Sequence, residues 1–180
     1  GPRTDVDGGE GTEVRGLAGG ERRVISSASP WIEVDHGAIA WNVGVLRSLL
    51  QPGTRLLAVV KSNAYGHGAA EVARTVLQHG AEMLGVARIE EGVVLREAGI
   101  AAPILIFGPT PVCCAGELLR YQLTPTVTGA TDAPGLAAAV PSGRKLAVHF
   151  KVDTGMGRLG CLVQPHADTA TVAAQAMNAA

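Results

Sequence analysis

Leu56-Leu57-Ala58-Val59-Val60-Lys61-Ser62-Asn63-Ala64-Tyr65-Gly66-His67-Gly68 is the stretch on which the reading of the fold turns. Five apolar residues run unbroken into a lysine, glycines come next, and a helical pattern starts at about Ala69. An unbroken apolar run suits a strand covered on both faces, as parallel sheets are. The glycines around His67 let the backbone turn sharply toward the helix. A lysine ending such a strand stands at the sheet edge where α/β proteins gather their active sites. Partial desolvation there favours the neutral amine, the nucleophile that forms a Schiff base with a carbonyl. The competing reading of a single strand-end lysine is a stem laid on apolar surface with its head in water. Tyr65, taken alone, reads as a packed ring with a satisfied hydroxyl.

Working outward, the same rhythm recurs. Apolar runs predict further strands over 83–87, 104–107, 123–127 and 146–152. Helices are predicted over 36–50, where Ile39, Val43, Leu46 and Leu50 share one face. Others are predicted over 69–79, stopped by Gly80, and over 90–98, closed by Gly99. Weaker helices are expected after Pro111 and Thr131, and a last one over 166–179. Trp31-Ile32-Glu33-Val34 alternates apolar and polar residues and is expected to form an extra strand, followed by Asp35 as a helix cap. Repeated strand–helix units predict an α/β fold with a parallel sheet. Two architectures fit, an open doubly wound sheet and a (β/α)8 barrel. A complete barrel needs about 250 residues, so in a barrel this chain would supply only about the first five units.

A second candidate site comes after the fifth apolar run. Lys151-Val152-Asp153-Thr154-Gly155-Met156-Gly157-Arg158-Leu159-Gly160 contains the glycine spacing of a dinucleotide fingerprint. The context argues against that reading. The fingerprint opens the helix of a first βαβ unit and has an acidic residue about 20 positions on, whereas here Pro165 interrupts the next segment and no acidic residue lies near position 180. Lys151 and Arg158 are the better candidates, since an arginine at this edge donates fixed hydrogen bonds to an anionic oxygen. For Lys151 the plain alternative is an ion pair with Asp153.

Composition narrows the function classes. The 180 residues carry a formal net charge of −1 without a basic block, which disfavours a nucleic-acid surface. No apolar run is long enough to span a bilayer, and residues 1–29, rich in glycine and in charges of both signs, read as a flexible tail. The three cysteines show no metal-site spacing and are expected to be reduced thiols in a cytoplasmic protein, with no metal.

The segment Ala58 to Gly68 resembles the pyridoxal-phosphate attachment motif of the alanine racemase family, with Ser62 where most members have alanine. The segment Lys151 to Gly160 is similar to the same family, as are Trp31-Ile32-Glu33-Val34-Asp35, Gly85-Val86-Ala87 with Glu90-Glu91-Gly92, and Pro103 to Gly108. The resemblance covers about residues 30–180 and implies the first five units of a (β/α)8 TIM-type barrel, with a C-terminal β domain outside this chain. It implies pyridoxal 5'-phosphate as cofactor, carried by Lys61 as the catalytic lysine, and Tyr65 packed beside it. It implies that Arg158 contacts the cofactor's phenolic oxygen and the substrate carboxylate. It also implies that Lys151 is carbamylated and steadies Arg158, which is physically sensible because two bare cations side by side repel. The implied activity interconverts L-alanine and D-alanine for peptidoglycan in a homodimer, with a tyrosine of the second subunit serving the other face of the substrate. The chain by itself is expected to hold half an active site and to be inactive. The competing readings are a non-catalytic pyridoxal-phosphate-binding barrel and a related amino-acid racemase or decarboxylase.

Overall fold

The computed structural model describes residues 31–129 and 132–162. A division of the chain falls between Glu33 and Val34. On the short side, the described residues 31–33 are exposed and carry no regular secondary structure.

From Val34 onward the chain opens with α1 (His36–Leu49), whose first turn is capped by Asp35, its carboxylate accepting the Ala38 N–H at 3.0 Å. Five strands come next: β1 (Leu57–Val59), β2 (Met83–Val86), β3 (Ile104–Ile106), β4 (Leu123–Val127) and β5 (His149–Phe150). Between them lie α2 (Lys61–Tyr65), α3 (Ala69–Gln78), α4 (Ile89–Glu97), a short 3-10 turn leading into α5 (Ala115–Arg120), and α6 (Asp132–Ala139). All five strands are parallel and neighbour one another in chain order. That order decides between the two architectures. A doubly wound sheet reverses its strand order at a switch point, and this sheet never reverses, so it is the wall of a partial (β/α) barrel.

The register sets Ala58 beside Leu84, Leu84 beside Ile104, and Ile104 beside Leu123. The last three are buried. Space inside the wall is tight at Gly85, where a Cβ would meet the Phe107 ring and lie 2.9 Å from Leu57 Cδ2. On the outside, Val43, Val72, Val76 and Leu95 close the helix layer over the strands. The middle strands are largely covered on both faces, as expected for stretches that are mostly apolar. The outer strands are not. Val59 of β1 is 40 % exposed, and residues 146–150 alternate half-buried with exposed. A strand with a neighbour on one side only has less to cover it.

Two expectations are corrected. Residues 31–34 form no strand, because none of the described strands pairs with them to take up their backbone groups. The fifth apolar run is not one strand over 146–152. Its ladder to β4 is two residues long, after which Val152–Asp153 (β6) pairs with Cys161–Leu162 (β7) in a separate two-stranded sheet. The helix expected over 166–179 and the tail 1–29 lie outside the described residues.

Candidate active site

The chain leaves β1 through Val60, buried and bonded to the β2 carbonyl of Gly85 at 2.9 Å, and then presents Lys61. Gly66 and Gly68, either side of His67, take φ of 89° and 90°, as the sequence suggests, and the left-handed backbone begins before them. Ser62, Asn63, Ala64 and Tyr65 all have φ between 52° and 55°, so α2 is one turn of left-handed helix. Each non-glycine residue there costs about 1–2 kcal/mol. Such backbone persists only where its surroundings over-determine it, and functional sites are where it collects. Here Ala64 N–H is donated to Val60 O at 2.9 Å and Gly68 N–H to Asn63 O at 3.0 Å. Asn63 Oδ1 accepts the Ala69 N–H at 2.8 Å and so caps α3, whose own N-cap residue, Gly68, has no side chain. His67 Nδ1 bonds Ala64 O at 2.8 Å. The turn brings Tyr65 back under the lysine, with Lys61 Nζ 5.9 Å from the ring centroid. Lys61 is half-buried, and none of the ion pairs among the described residues involves it.

The second candidate stretch leaves β5 through Lys151, whose N–H is donated to Val127 O at 2.9 Å and whose carbonyl accepts the Cys161 N–H at 2.8 Å. Asp153 is not the ion-pair partner of Lys151. Its carboxylate is the centre of the glycine turn, with Oδ1 accepting from Gly155 N at 2.9 Å and Gly157 N at 3.0 Å, and Oδ2 from Arg158 N at 2.9 Å. Those bonds, Gly157 and Gly155 foremost, hold the Asp153 carboxyl below the usual carboxylate range against the opposing effect of burial. Gly160 closes the turn onto the strand, where a Cβ would lie 2.8 Å from Asp153 N. The three glycines thus serve a carboxylate-centred loop. No helix opens from it, and β7 comes next, so the dinucleotide reading is excluded by structure as by context.

Lys61 and Tyr65 come together at the carboxyl end of β1, while Lys151 directly follows β5 and Arg158 lies on the turn held by Asp153. Both groups occupy the same rim of the sheet. Three strands lie between β1 and β5, so the two groups stand at opposite ends of the described five-stranded sheet. Two grooves that the described residues form lie elsewhere, around Arg144, Lys145 and Leu146, and none of the four residues lines them. Among the described residues there is no cluster of three metal-ligating side chains and no helix long and apolar enough to cross a membrane. Sequence reasoning misses two residues. It weighs Asp153 only as a partner for Lys151. Glu91 hydrogen-bonds the turn beside Lys61, and its sequence signals, a place in the first turn of a helix and in the family-like Glu90-Glu91-Gly92, say nothing of that contact.

A parallel sheet in barrel order, with a lysine ending its first strand and an arginine-bearing turn after its fifth, defines a (β/α)-barrel of the class that works at its carboxyl rim. The family model for the N-terminal domain of alanine racemase matches residues 34–180, and the chain belongs to that family. The alanine racemase of Desulfosudis oleivorans is 48 % identical over 133 residues, which is 73 % of this chain and 34 % of that protein. Alanine racemase 2 of Bacillus subtilis is 44 % identical over 133 residues, 72 % of this chain and 34 % of that protein. Among solved structures, alanine racemase from E. faecalis superposes with a TM-score of 0.74 at 38 % identity, over 81 % of this chain and 38 % of that one. The Bacillus anthracis enzyme, solved with bound L-Ala-P, gives 0.73 at 30 % identity, over 84 % and 40 %. The chain thus spans about a third of the length of these curated relatives.

Proposed function

We propose that the full-length protein containing this chain is a pyridoxal-phosphate-dependent alanine racemase and that Lys61 carries the cofactor. One observation carries the reading. Inside the family-matched segment, Lys61 ends β1 at the carboxyl rim, half-buried and outside every ion pair of the described residues. The donors present fit the group: an amine to bond an aldehyde, an aromatic ring beside it, and an arginine whose backbone is fixed while its guanidinium enters none of the described ion pairs. Pyridoxal phosphate, when bound, would supply an electron sink that acidifies the substrate's α-hydrogen, and Lys61 would give up its place on it to the substrate's amine.

This chain's residues supply the rest. Lys61 Nζ, once released, holds and moves the proton on one face of the α-carbon. Arg158 orients the substrate carboxylate and meets the cofactor's phenolic oxygen with a planar fork that a lysine cannot reproduce. Lys151, as a carbamate, supplies a negative group to steady that arginine. Racemisation needs a second proton carrier on the opposite face, and neither tyrosine here suits it. Tyr65 shares the turn with Lys61, and Tyr121 ends α5, its carbonyl bonded to Arg96 beside the amino end of β4. A tyrosine of the second subunit of a homodimer fills that role in this reading. The product, D-alanine, would be made in the cytoplasm for peptidoglycan. Residues 30–180 are then the first part of the barrel domain, 1–29 a tail, and a C-terminal β domain belongs to the longer protein.

In the full-length protein, Lys61→Ala should abolish both racemisation and the visible absorbance of lysine-bound cofactor. Retention of both would sink the assignment. Following chirality and carbon dioxide release from the same incubation separates a racemase from a decarboxylase, and absence of either reaction leaves the non-catalytic cofactor-binding barrel.

A further inference from the structure

We infer that Glu91 is a positioning residue for Lys61, its carboxylate locking the left-handed turn that begins at Ser62 to the carboxyl end of β2. The inference rests on the reading of Lys61 as the cofactor lysine. Glu91 is the third residue of α4, where the first N–H groups of a helix lack intrahelical partners. One oxygen meets that local need, with Oε2 accepting the N–H of Ala87 at 2.7 Å and of Arg88 at 3.2 Å. The other oxygen leaves its own unit. Oε1 accepts the N–H of Ser62 at 2.7 Å, from a residue 29 positions earlier. A carboxylate that served only to cap α4 would not need that reach.

Position gives the bond its consequence. Ser62 N belongs to the peptide that joins it to Lys61, so the bond fixes the plane of that peptide and, through it, the direction in which the lysine side chain departs. Four successive non-glycine residues in left-handed conformation are unfavourable, and the chain needs external support to stay there. Among the described residues, Glu91 is the one side chain from outside residues 60–69 that hydrogen-bonds this turn. Both long arms of its carboxylate are charge-assisted bonds at 2.7 Å. Glu91 therefore couples the carboxyl ends of two adjacent strands at the point where the reactive amine is presented.

The test uses the full-length enzyme with Glu91→Asp, Glu91→Ala and Lys61→Ala. Aspartate keeps a carboxylate at the start of α4, within reach of the Ala87 and Arg88 N–H groups, but is one methylene too short to span to Ser62 as well. Glu91→Asp should keep a thermal midpoint near wild type while kcat falls about tenfold or more. It should also shift the pH at which the visible absorbance of lysine-bound pyridoxal phosphate titrates. Glu91→Ala should show the same kinetic and spectral change with a lower midpoint, and if it does not fold, Glu91→Asp decides. Wild-type kcat and pH titration in Glu91→Asp, or losses that only parallel its thermal midpoint, would overturn the inference. Lys61→Ala separates the two failures: a band retained there defeats the assignment of Lys61, whereas a band lost there with Glu91→Asp unchanged defeats only the role of Glu91.

Discussion

Asp153 spends its whole carboxylate on the backbone that carries Arg158, accepting N–H groups from Gly155, Gly157 and Arg158. Replacing it with asparagine keeps one acceptor and turns a donor toward an N–H, so the turn loses part of its anchor. In full-length Asp153→Asn, the amides of Gly155, Gly157 and Arg158 should exchange hydrogen faster while those of β3 stay protected, and unchanged exchange would refute the anchoring role. The pH dependence has a defined sign. The folded carboxyl lies below its ordinary value, so its contribution is fully present above the unfolded value of about 4 and is lost as pH falls through the lowered folded value. An NMR titration in which the Asp153 carboxyl protonates at or above the ordinary aspartate value would contradict this.

At the scale of elements, α4 is tied at both ends, and each tie reaches a neighbouring unit. Its amino end holds the turn after β1 through Glu91. Its last turn holds the other rim through Arg96, whose guanidinium donates to the carbonyls of Tyr121 at 2.8 Å, Ile100 at 2.6 Å, Ala102 at 2.7 Å and Gln122 at 3.0 Å. Those carbonyls lie just before β3 and β4, so one planar group sets where two strands begin. Burial lowers the pKa of Arg96 from its ordinary value, yet an arginine stays charged across the working range. A lysine cannot span four carbonyls. Arg96→Lys should destabilise the full-length protein by on the order of 2–3 kcal/mol, read from denaturant midpoints, and should leave the visible cofactor absorbance in place at temperatures where the protein is folded. A midpoint within error of wild type would show that the four bonds add nothing.

For the whole molecule, the consequence lies at the edges of the sheet. β1 and β5 each have a neighbour on one side only among the described strands, and a sheet edge offers unpaired backbone groups to other chains. Apolar side chains are exposed near both, Val59 at 40 % and Val152 at 39 %. The outer helix α1 also shows Trp41 at 70 % and Leu49 at 73 %. Net stability of a domain is only about 5–15 kcal/mol, so uncovered surface of this kind weighs heavily. Residues 1–180 expressed alone should bind a hydrophobic dye, self-associate and show no racemase activity, whereas the full-length protein should unfold cooperatively. A monomeric, cooperatively folding and active 180-residue piece would overturn both the partial barrel and the claim that half the site lies elsewhere.

The sequence by itself marked out β1 to β4, the helices α1, α3 and α4, and the candidate residues on the rim, but neither the unpaired 31–34 nor the short β5. Those signals are local: the apolar runs of β1 and β3, the four-and-three spacing of Ile39, Val43 and Leu46, and Lys61 directly after an apolar run. The tertiary structure alone decided three things. Strand order, which separates a barrel wall from a doubly wound sheet, depends on which units lie side by side; both alternatives share the same strand–helix rhythm, and in the sequence only the family resemblance pointed to the barrel. The left-handed backbone of Ser62 to Tyr65 runs against the intrinsic preference of four L-residues, so only the bonds around it, from Val60 to Ala69 and from Glu91, reveal it. The roles of Glu91 and Asp153 stayed hidden for the same reason. A carboxylate in the chain shows its charge, whereas the N–H groups it will accept are set by how the backbone returns to it.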